Sequence, residues 1–210
     1  MNAAAPLPAD TKTRILDAAE RVFSQDGFDG ASLRTITAAA QVNLAAVNYH
    51  FHSKEALFSA VVERRVRPIN LRRLELLDAI SGKPTVEKII ESFVRPPLEV
   101  PDASEIRTLM ARLYSVPSDL YKKVIEENFG KVRERFVAAL AAALPDAPRE
   151  ELQWGFFLVV GAMAQAMAWS PYIMTLVKDK PNPSAFEDLT ARIVCFCAAG
   201  LKANSKRVNH

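Results

Sequence analysis

The chain has 210 residues, 50% of them hydrophobic and 24% charged, with 27 basic against 24 acidic side chains for a formal net charge of +3. That balance can fill a sizeable core and excludes disorder of the whole chain, while 13 prolines and 7 glycines are too few for a low-complexity or collagenous sequence. Two cysteines, Cys195 and Cys197, exclude a disulfide framework and a four-thiolate zinc site. On a helix these two point about 200° apart and cannot bridge each other, so a reducing cytoplasm is the expected location. The opening MNAAAPLPADTKTR lacks a basic start followed by an apolar run, which predicts no secretory signal.

From there apolar residues recur at helical spacing almost throughout, and no stretch alternates as a strand would, predicting an all-α fold of about nine helices. Asp10 caps the first, whose stripe is Ile15, Leu16, Ala19, Val22 and Phe23 and whose stop is Gly27-Phe28. Ser32, Asn43 and Ser53 are the N-caps expected for the second, third and fourth. The fourth begins Lys54-Glu55 and runs to about Ile80 with a kink at Pro68. Gly82 and Pro84 break the chain before a fifth helix that ends at Arg95, and Pro96, Pro97 and Pro101 read as a rigid connector. The sixth is expected from Ser104 to Ser115, the seventh from Ser118 to Leu144, the eighth from Pro148 to near Pro171, and the ninth from Ser184 to Asn204, with a frayed tail. The most apolar run, Gly155 to Trp169, contains Gln165 and falls short of the roughly 20 residues a bilayer requires. It is expected to be a buried core helix, with no membrane as partner.

The informative segment is GASLRTITAAAQVNLAAVNYHFHSK, from Gly30 to Lys54. Leu33, Ile36 and Ala40 share one side of a short helix. A tight turn, Gln41-Val42-Asn43, leads to a second short helix with Val47 and Phe51 facing inward. Val42 is expected to be buried, and small Ala38, Ala39 and Ala40 to let the two helices approach. Two short helices separated by so few residues describe a helix-turn-helix. Leu44, Ala45, Asn48, Tyr49 and His50 are left outward, and the segment contains no Asp or Glu, although Asp26, Asp29 and Glu55 surround it. A face that approaches phosphates should exclude carboxylates; a polar helix that lacks acids by chance would read the same way.

This segment resembles the TetR family of one-component transcriptional regulators, reading SLRTITAAAQV, NLAAVNYHF and HSKEALF, and the first helix TRILDAAERVFSQDGFDG extends the match without a gap. Two positions depart from the family pattern. Gln41 stands where the family usually has Gly and must take a cramped or left-handed conformation, and Asn48 stands where Tyr is common. The resemblance implies a DNA-binding domain over 1–56 and an effector-binding and dimerisation domain over 57–210, with double-stranded DNA, a small-molecule effector and a second copy as partners. It also implies the roles at the DNA. Ser32 and Asn43 cap the two helices, and Ser32 and Arg34 meet phosphate, or guanine in the case of Arg34. Leu44 and Ala45 contact thymine methyls and Asn48 pairs with adenine. Tyr49, His50 and Lys54 reach backbone phosphates. Tyr49 packed on the fourth helix, and Leu44 in the core, are the alternatives. His50 and His52 lie two apart, do not converge on a helix and have no nearby carboxylate or thiol, so no metal is expected.

In the larger part, the resemblance implies that the eighth and ninth helices pair with their copies. Trp154, Leu158, Gly161 and Gln165 on the eighth, and Leu189, Ile193 and Phe196 on the ninth, are the candidate interface; an ordinary monomer core would look similar. Candidates to line an effector pocket are Phe93, Met110, Leu113, Tyr114 and Phe129, together with Phe157, Val160, Met163 and Met167, though such stripes also make plain core. Arg107 could meet a ligand carboxylate or simply sit at the surface. Phrases such as NLRRLELLDAI and FVRPPLE resemble the PsrA-type branch of the family, which implies a fatty acid or acyl thioester as effector. No cofactor is expected, and catalysis is not: Gly82-Lys83-Pro84-Thr85 lacks the earlier glycine and strand of a P-loop, and no Gly-x-Ser-x-Gly is present. The expected function is a ligand-responsive repressor on a palindromic operator, with a non-specific DNA-packaging or helical adaptor protein as the alternative.

Overall fold

The computed structural model describes residues 10–100, 110, 118–176 and 185–204. The expected sixth helix, with Arg107, Leu113 and Tyr114, lies outside the described residues except for Met110, which is helical and half-buried; Pro101 and the tail after Asn204 also lie outside them. The order is α1 (Thr11–Gly30), α2 (Leu33–Ala40), α3 (Leu44–Phe51), α4 (Lys54–Asp78), α5 (Val86–Leu98), α6 (Asp119–Ala143), α7 (Arg149–Leu176) and α8 (Ala185–Asn204). The fold is all-α, with no strand among the described residues. The chain divides into compact units at 1–65 and 66–210. The division falls within α4, whose Leu57, Phe58, Val61 and Val62 are buried with the first unit's apolar residues.

In the first unit, α1 is capped by Asp10, whose carboxylate accepts from the Thr13 N–H at 2.8 Å, and its helical dihedrals break at Gly27 (φ 74°). Phe23, Phe28 and Phe58 form an aromatic cluster with centroid separations of 5.1–6.1 Å, Phe58 meeting the other two edge-to-face. Around it Ile15, Ile36, Val47, Phe51 and Val61 complete the core. Glu20 shares α1's buried face with Leu16 and Phe23 and is only 2% exposed. Arg64 Nη2 and Arg65 Nε from α4 each donate to its carboxylate at 2.5 Å, and Arg64 Nη1 reaches Asp17 at 2.7 Å.

In the second unit, α5 continues through Pro96 and Pro97 to Leu98, so these prolines end a helix instead of forming a connector. Pro97 has no N–H, which leaves the Phe93 carbonyl without its helical donor. Arg73 Nε supplies one at 2.8 Å. The Arg73 side chain is 2% exposed; it also donates to Asn70 Oδ1 at 3.0 Å and lies 3.8 Å from the Phe93 ring centroid. The core around it joins Ile89, Ile90 and Phe93 of α5, Phe136 and Leu140 of α6, Leu152, Phe156, Val159 and Met163 of α7, and Ile193, Cys197 and Leu201 of α8.

Helix α7 extends beyond Pro171 to Leu176. The stretch Arg149–Trp169 is long and apolar enough by length and composition to cross a membrane, so shortness does not argue against a span. Nor is α7 buried all round: its inner face is core, while Trp154, Phe157, Leu158 and Trp169 on the other are exposed. The close approach of α7 to α8 depends on Gly155, where an added Cβ would lie 2.1 Å from Leu201 Cδ2 and 3.2 Å from its Cγ. Gly155→Ala gains about 1 kcal/mol of helix propensity and meets an overpacking cost of about 1–3 kcal/mol. A net loss of about 1 kcal/mol is expected, measured as a lower urea midpoint at unchanged slope.

Candidate nucleic-acid interface

The turn between α2 and α3 follows from hydrogen bonding. Ser32 caps α2 by accepting from the Thr35 N–H at 3.0 Å, and it shares a 2.7 Å hydroxyl–hydroxyl bond with Thr35. The helix ends in a Schellman motif: the Gln41 N–H reaches the Ala38 carbonyl at 3.2 Å, and the Val42 N–H reaches Thr37 at 3.0 Å. That motif requires a left-handed residue, and Gln41 takes it at φ 54°, ψ 47°, as its place in a glycine position demands. The conformation is held from α1, where Arg14 Nη2 donates to the carbonyls of Ala40 (2.7 Å) and Gln41 (2.8 Å). Asn43 then caps α3, its side-chain oxygen accepting from the Ala46 N–H at 2.9 Å. At the far end His52 (φ 64°) is the centre of a γ-turn closed by the Ser53 N–H on the Phe51 carbonyl at 2.7 Å. Ser53 in turn caps α4 through the Ala56 N–H at 3.1 Å.

This framework buries Val47 and Phe51 and turns the rest of α3 outward. Leu44 is 46% and Tyr49 79% exposed, so neither is core and Tyr49 is not packed on α4. Asn43, Ala45 and Asn48 are exposed beside them, and Ser32, Arg34 and Thr35 flank them from α2 and its cap, Arg34 and Thr35 exposed. His50 is half-buried, with its ring edge-on to Tyr49 at 5.1 Å. Lys54 places its ammonium 4.4 Å from the Phe28 ring centroid at the start of α4. Of the small residues expected between the helices only Ala40 is buried; Ala38 and Ala39 face out, and Val42 is half-buried.

Two carboxylates flank this surface, Asp10 near enough to His50 to interact with it, and Glu55 at the start of α4. Asp10 is held below the usual carboxylate range chiefly by the Thr13 backbone N–H. Glu55 is held down by its own N–H and then by the Ser53 hydroxyl, which folds it back onto the α4 cap. The outward surface of α2 and α3 therefore offers amide, hydroxyl, methyl and guanidinium groups without an acid, on an α-helix, whose width a major groove admits. Sequence reasoning misses Arg14 as part of this architecture. Asp10 at i−4 and Asp17 at i+3 offer it partners along α1, and only tertiary packing brings the Ala40 and Gln41 carbonyls within reach.

Residues expected at the pocket and at the interface separate in space. Phe93 and Met163 are buried in the second unit's core, with Val160 and Met167 packed half-buried against it; Phe129 is half-buried on α6. Phe157 does not line the interior. It is 65% exposed and packs edge-on to Trp154 at 6.2 Å, because its position puts it on the outer face of α7. Trp154, Leu158, Gly161, Gln165 and Phe196 all lie toward solvent, Gln165 exposed like its neighbours along α7. Ile193 lies in the core and Leu189 packs half-buried against it, since both occupy the face of α8 turned toward α5 and α7.

Residues 15–61 match the family described as "Bacterial regulatory proteins, tetR family", and residues 91–200 match "Tetracyclin repressor-like, C-terminal domain". The chain is 34% identical over 84 residues to the HTH-type transcriptional regulator UidR of Escherichia coli K12, covering 40% of this chain and 41% of UidR. It is 33% identical over 92 residues to the HTH-type transcriptional repressor NicS of Pseudomonas putida, covering 41% of this chain and 43% of NicS. The aligned stretch thus spans less than half the length of these relatives. The fold is shared with the fatty acid degradation regulator FadR of Bacillus halodurans, at a TM-score of 0.68 and 14% identity over 93% of this chain and 98% of that one.

Proposed function

Because the chain belongs to the TetR family of DNA-binding transcriptional regulators, we propose that it is a cytoplasmic repressor that binds a palindromic operator as a dimer and is released by a small apolar effector. The observation that carries this reading is the outward surface of α3, acid-free and ordered by the Asn43 cap, on which Ala45 and Asn48 stand ready for base edges. Ser32, Arg34, Tyr49 and His50 supply phosphate contacts around it, and Lys54 adds charge at the start of α4. One such unit covers only a few base pairs, so two copies related by a two-fold axis read half-sites about 34–36 Å apart, or as the family varies that spacing.

A second copy is the occupant proposed for the apolar face of α7 and α8. Trp154, Leu158, Gly161, Gln165, Trp169 and Tyr172 recur at helical spacing along α7, and Phe196 stands 78% exposed on α8. A monomer seldom leaves so much aromatic surface in water. Gly161, where an added Cβ would meet nothing within 4 Å, allows close helix approach at the centre of the stripe. Effector binding within the second unit would favour one spacing of the two α3 helices and the operator another, so each ligand weakens the other equally. Phe93, Met163, Val160 and Met167 support an apolar effector, of which fatty acids and acyl thioesters are the class proposed.

Selection from random duplex DNA, followed by titration at several salt concentrations, tests this function. A regulator retains a large preference for one inverted repeat at physiological salt, whereas a packaging protein loses all sequences alike. The double variant Trp154→Glu/Phe196→Glu is expected to sediment as a monomer and to bind the palindrome no better than a single half-site. A variant that remained dimeric would remove α7 and α8 from the interface. Fatty acids and acyl thioesters that bind the native state raise its melting temperature.

A further inference from the structure

Two of the residues proposed to meet an effector, Phe93 and Met163, are tied to one buried cation. Arg73 lies in the part of α4 that belongs to the second unit and is buried in that unit's core. Its Nε donates to the Phe93 carbonyl at 2.8 Å and its Nη1 to Asn70 Oδ1 at 3.0 Å, with the guanidinium 3.8 Å from the Phe93 ring centroid. Its Nη2 reaches Met163 Sδ at 3.5 Å. Asn70 in turn donates to the Asn128 carbonyl at 2.8 Å, so the guanidinium is held from α4, α5 and α6.

The contact at Nη2 is unlike the others. A thioether sulfur is a weak acceptor, and methionine, unbranched with three rotatable bonds, moves aside readily. A carboxylate in its place makes a charge-assisted bond roughly twice as strong as a neutral one. Inside a low-dielectric core, two opposite charges also attract more strongly than they do in water. The surroundings are apolar: beside the Phe93 ring, Val160 and Met167 stand half-buried on α7, one turn before and one turn after Met163. We propose that Arg73 is the site at which the second unit takes the carboxylate of a long-chain apolar acid. The head group replaces Met163 Sδ at Nη2, and the alkyl chain lies against Phe93, Val160, Met163 and Met167. The effector is then the free acid, and an acyl thioester, whose acyl end carries no carboxylate, is the poorer ligand.

This site rests on the effector-controlled regulator proposed above and narrows its effector class. The full-length protein is titrated by calorimetry with dodecanoate, dodecanol and lauroyl coenzyme A, which share one chain length. Dodecanoate is expected to bind at least about tenfold more tightly than either of the others, the difference made by a hydrogen bond to a charged group. Arg73→Met is expected to bind acid and alcohol alike. Because loss of a buried arginine can unfold the second unit, a measurement on the wild type accompanies it. Bound dodecanoate, isotopically labelled at its carboxyl and titrated by NMR, should stay ionised below the ordinary carboxylate range, since an adjacent guanidinium favours the charged form. A bound carboxyl that titrates at or above that range, or equal affinity of the wild type for acid and alcohol, would overturn the site and leave the regulator standing. If no probe binds while an inverted repeat is still selected from random DNA, the site falls together with the effector class, and operator binding stands. Preferential binding of dodecanoate by a protein that enriches no sequence would support the site and sink the regulator.

Discussion

Ala45→Glu is expected to weaken binding to the selected operator by at least about a hundredfold, with the melting temperature unchanged, because a like charge forced into a charged interface costs several kcal/mol. Ala45 is exposed, so glutamate displaces nothing in the first unit's core, and alanine and glutamate differ little in helix propensity. What changes is the approach to DNA. The segment from Gly30 to Lys54 contains no acid, and in the proposed complex the substituted carboxylate would stand at the N-terminal turn of α3, against base edges between two phosphate backbones. Ala45→Gln is the matched control. It has the same length without the charge, and a loss under tenfold would assign the difference to electrostatics. Fluorescence anisotropy on the selected duplex reads both. If glutamate and glutamine lost affinity equally, size rather than charge would be responsible.

Arg64→Ala/Arg65→Ala is expected to cost about 3 kcal/mol of stability, toward the lower end of the 3–5 kcal/mol seen when a buried ion pair is broken. Both arginines donate to Glu20, whose side chain is 2% exposed, whereas the arginine side chains are 26% and 50% exposed. Their removal strands a desolvated carboxylate, and the space they vacate admits some water, which is why the upper end is not expected. The converse substitution, Glu20→Leu, leaves Arg64 paired with Asp17 and Arg65 half-exposed, so it should cost less than the double variant, and removing all three charges together is the case that is often neutral. Adding Glu20→Leu to the double variant should therefore recover most of the lost stability. Urea denaturation of the four proteins closes the cycle. If the triple variant were as unstable as the double, the loss would come from packing of the arginine stems instead of from the stranded charge.

Local spacing makes the DNA-facing unit legible. Asp10, Ser32, Asn43 and Ser53 read as caps, and all four side chains accept from a backbone N–H three residues on. The left-handed Gln41 is legible only through the resemblance, because it stands where the family usually has Gly. Glu20 on an otherwise apolar stripe carries the signal of a buried anion, but its partners lie on α4, beyond the reach of any local pattern.

Elsewhere the pattern along the chain could not decide. Pro96 and Pro97 read as breakers because proline removes a helical donor, and the Arg73 guanidinium that offers the Phe93 carbonyl another donor comes from 20 residues earlier. The apolar run of α7 reads as one buried helix, although it has two apolar faces, one packed on α5, α6 and α8 and one open. Phe157 and Ile193 exchange their expected places for that reason. Sequence by itself determined where each helix of the first unit starts and which surface of α3 is free of acid, since capping and charge depend on neighbours a few residues apart. Only the tertiary structure decided which apolar faces close on the core and which stay open, because periodicity gives a helix an apolar side without naming what covers it.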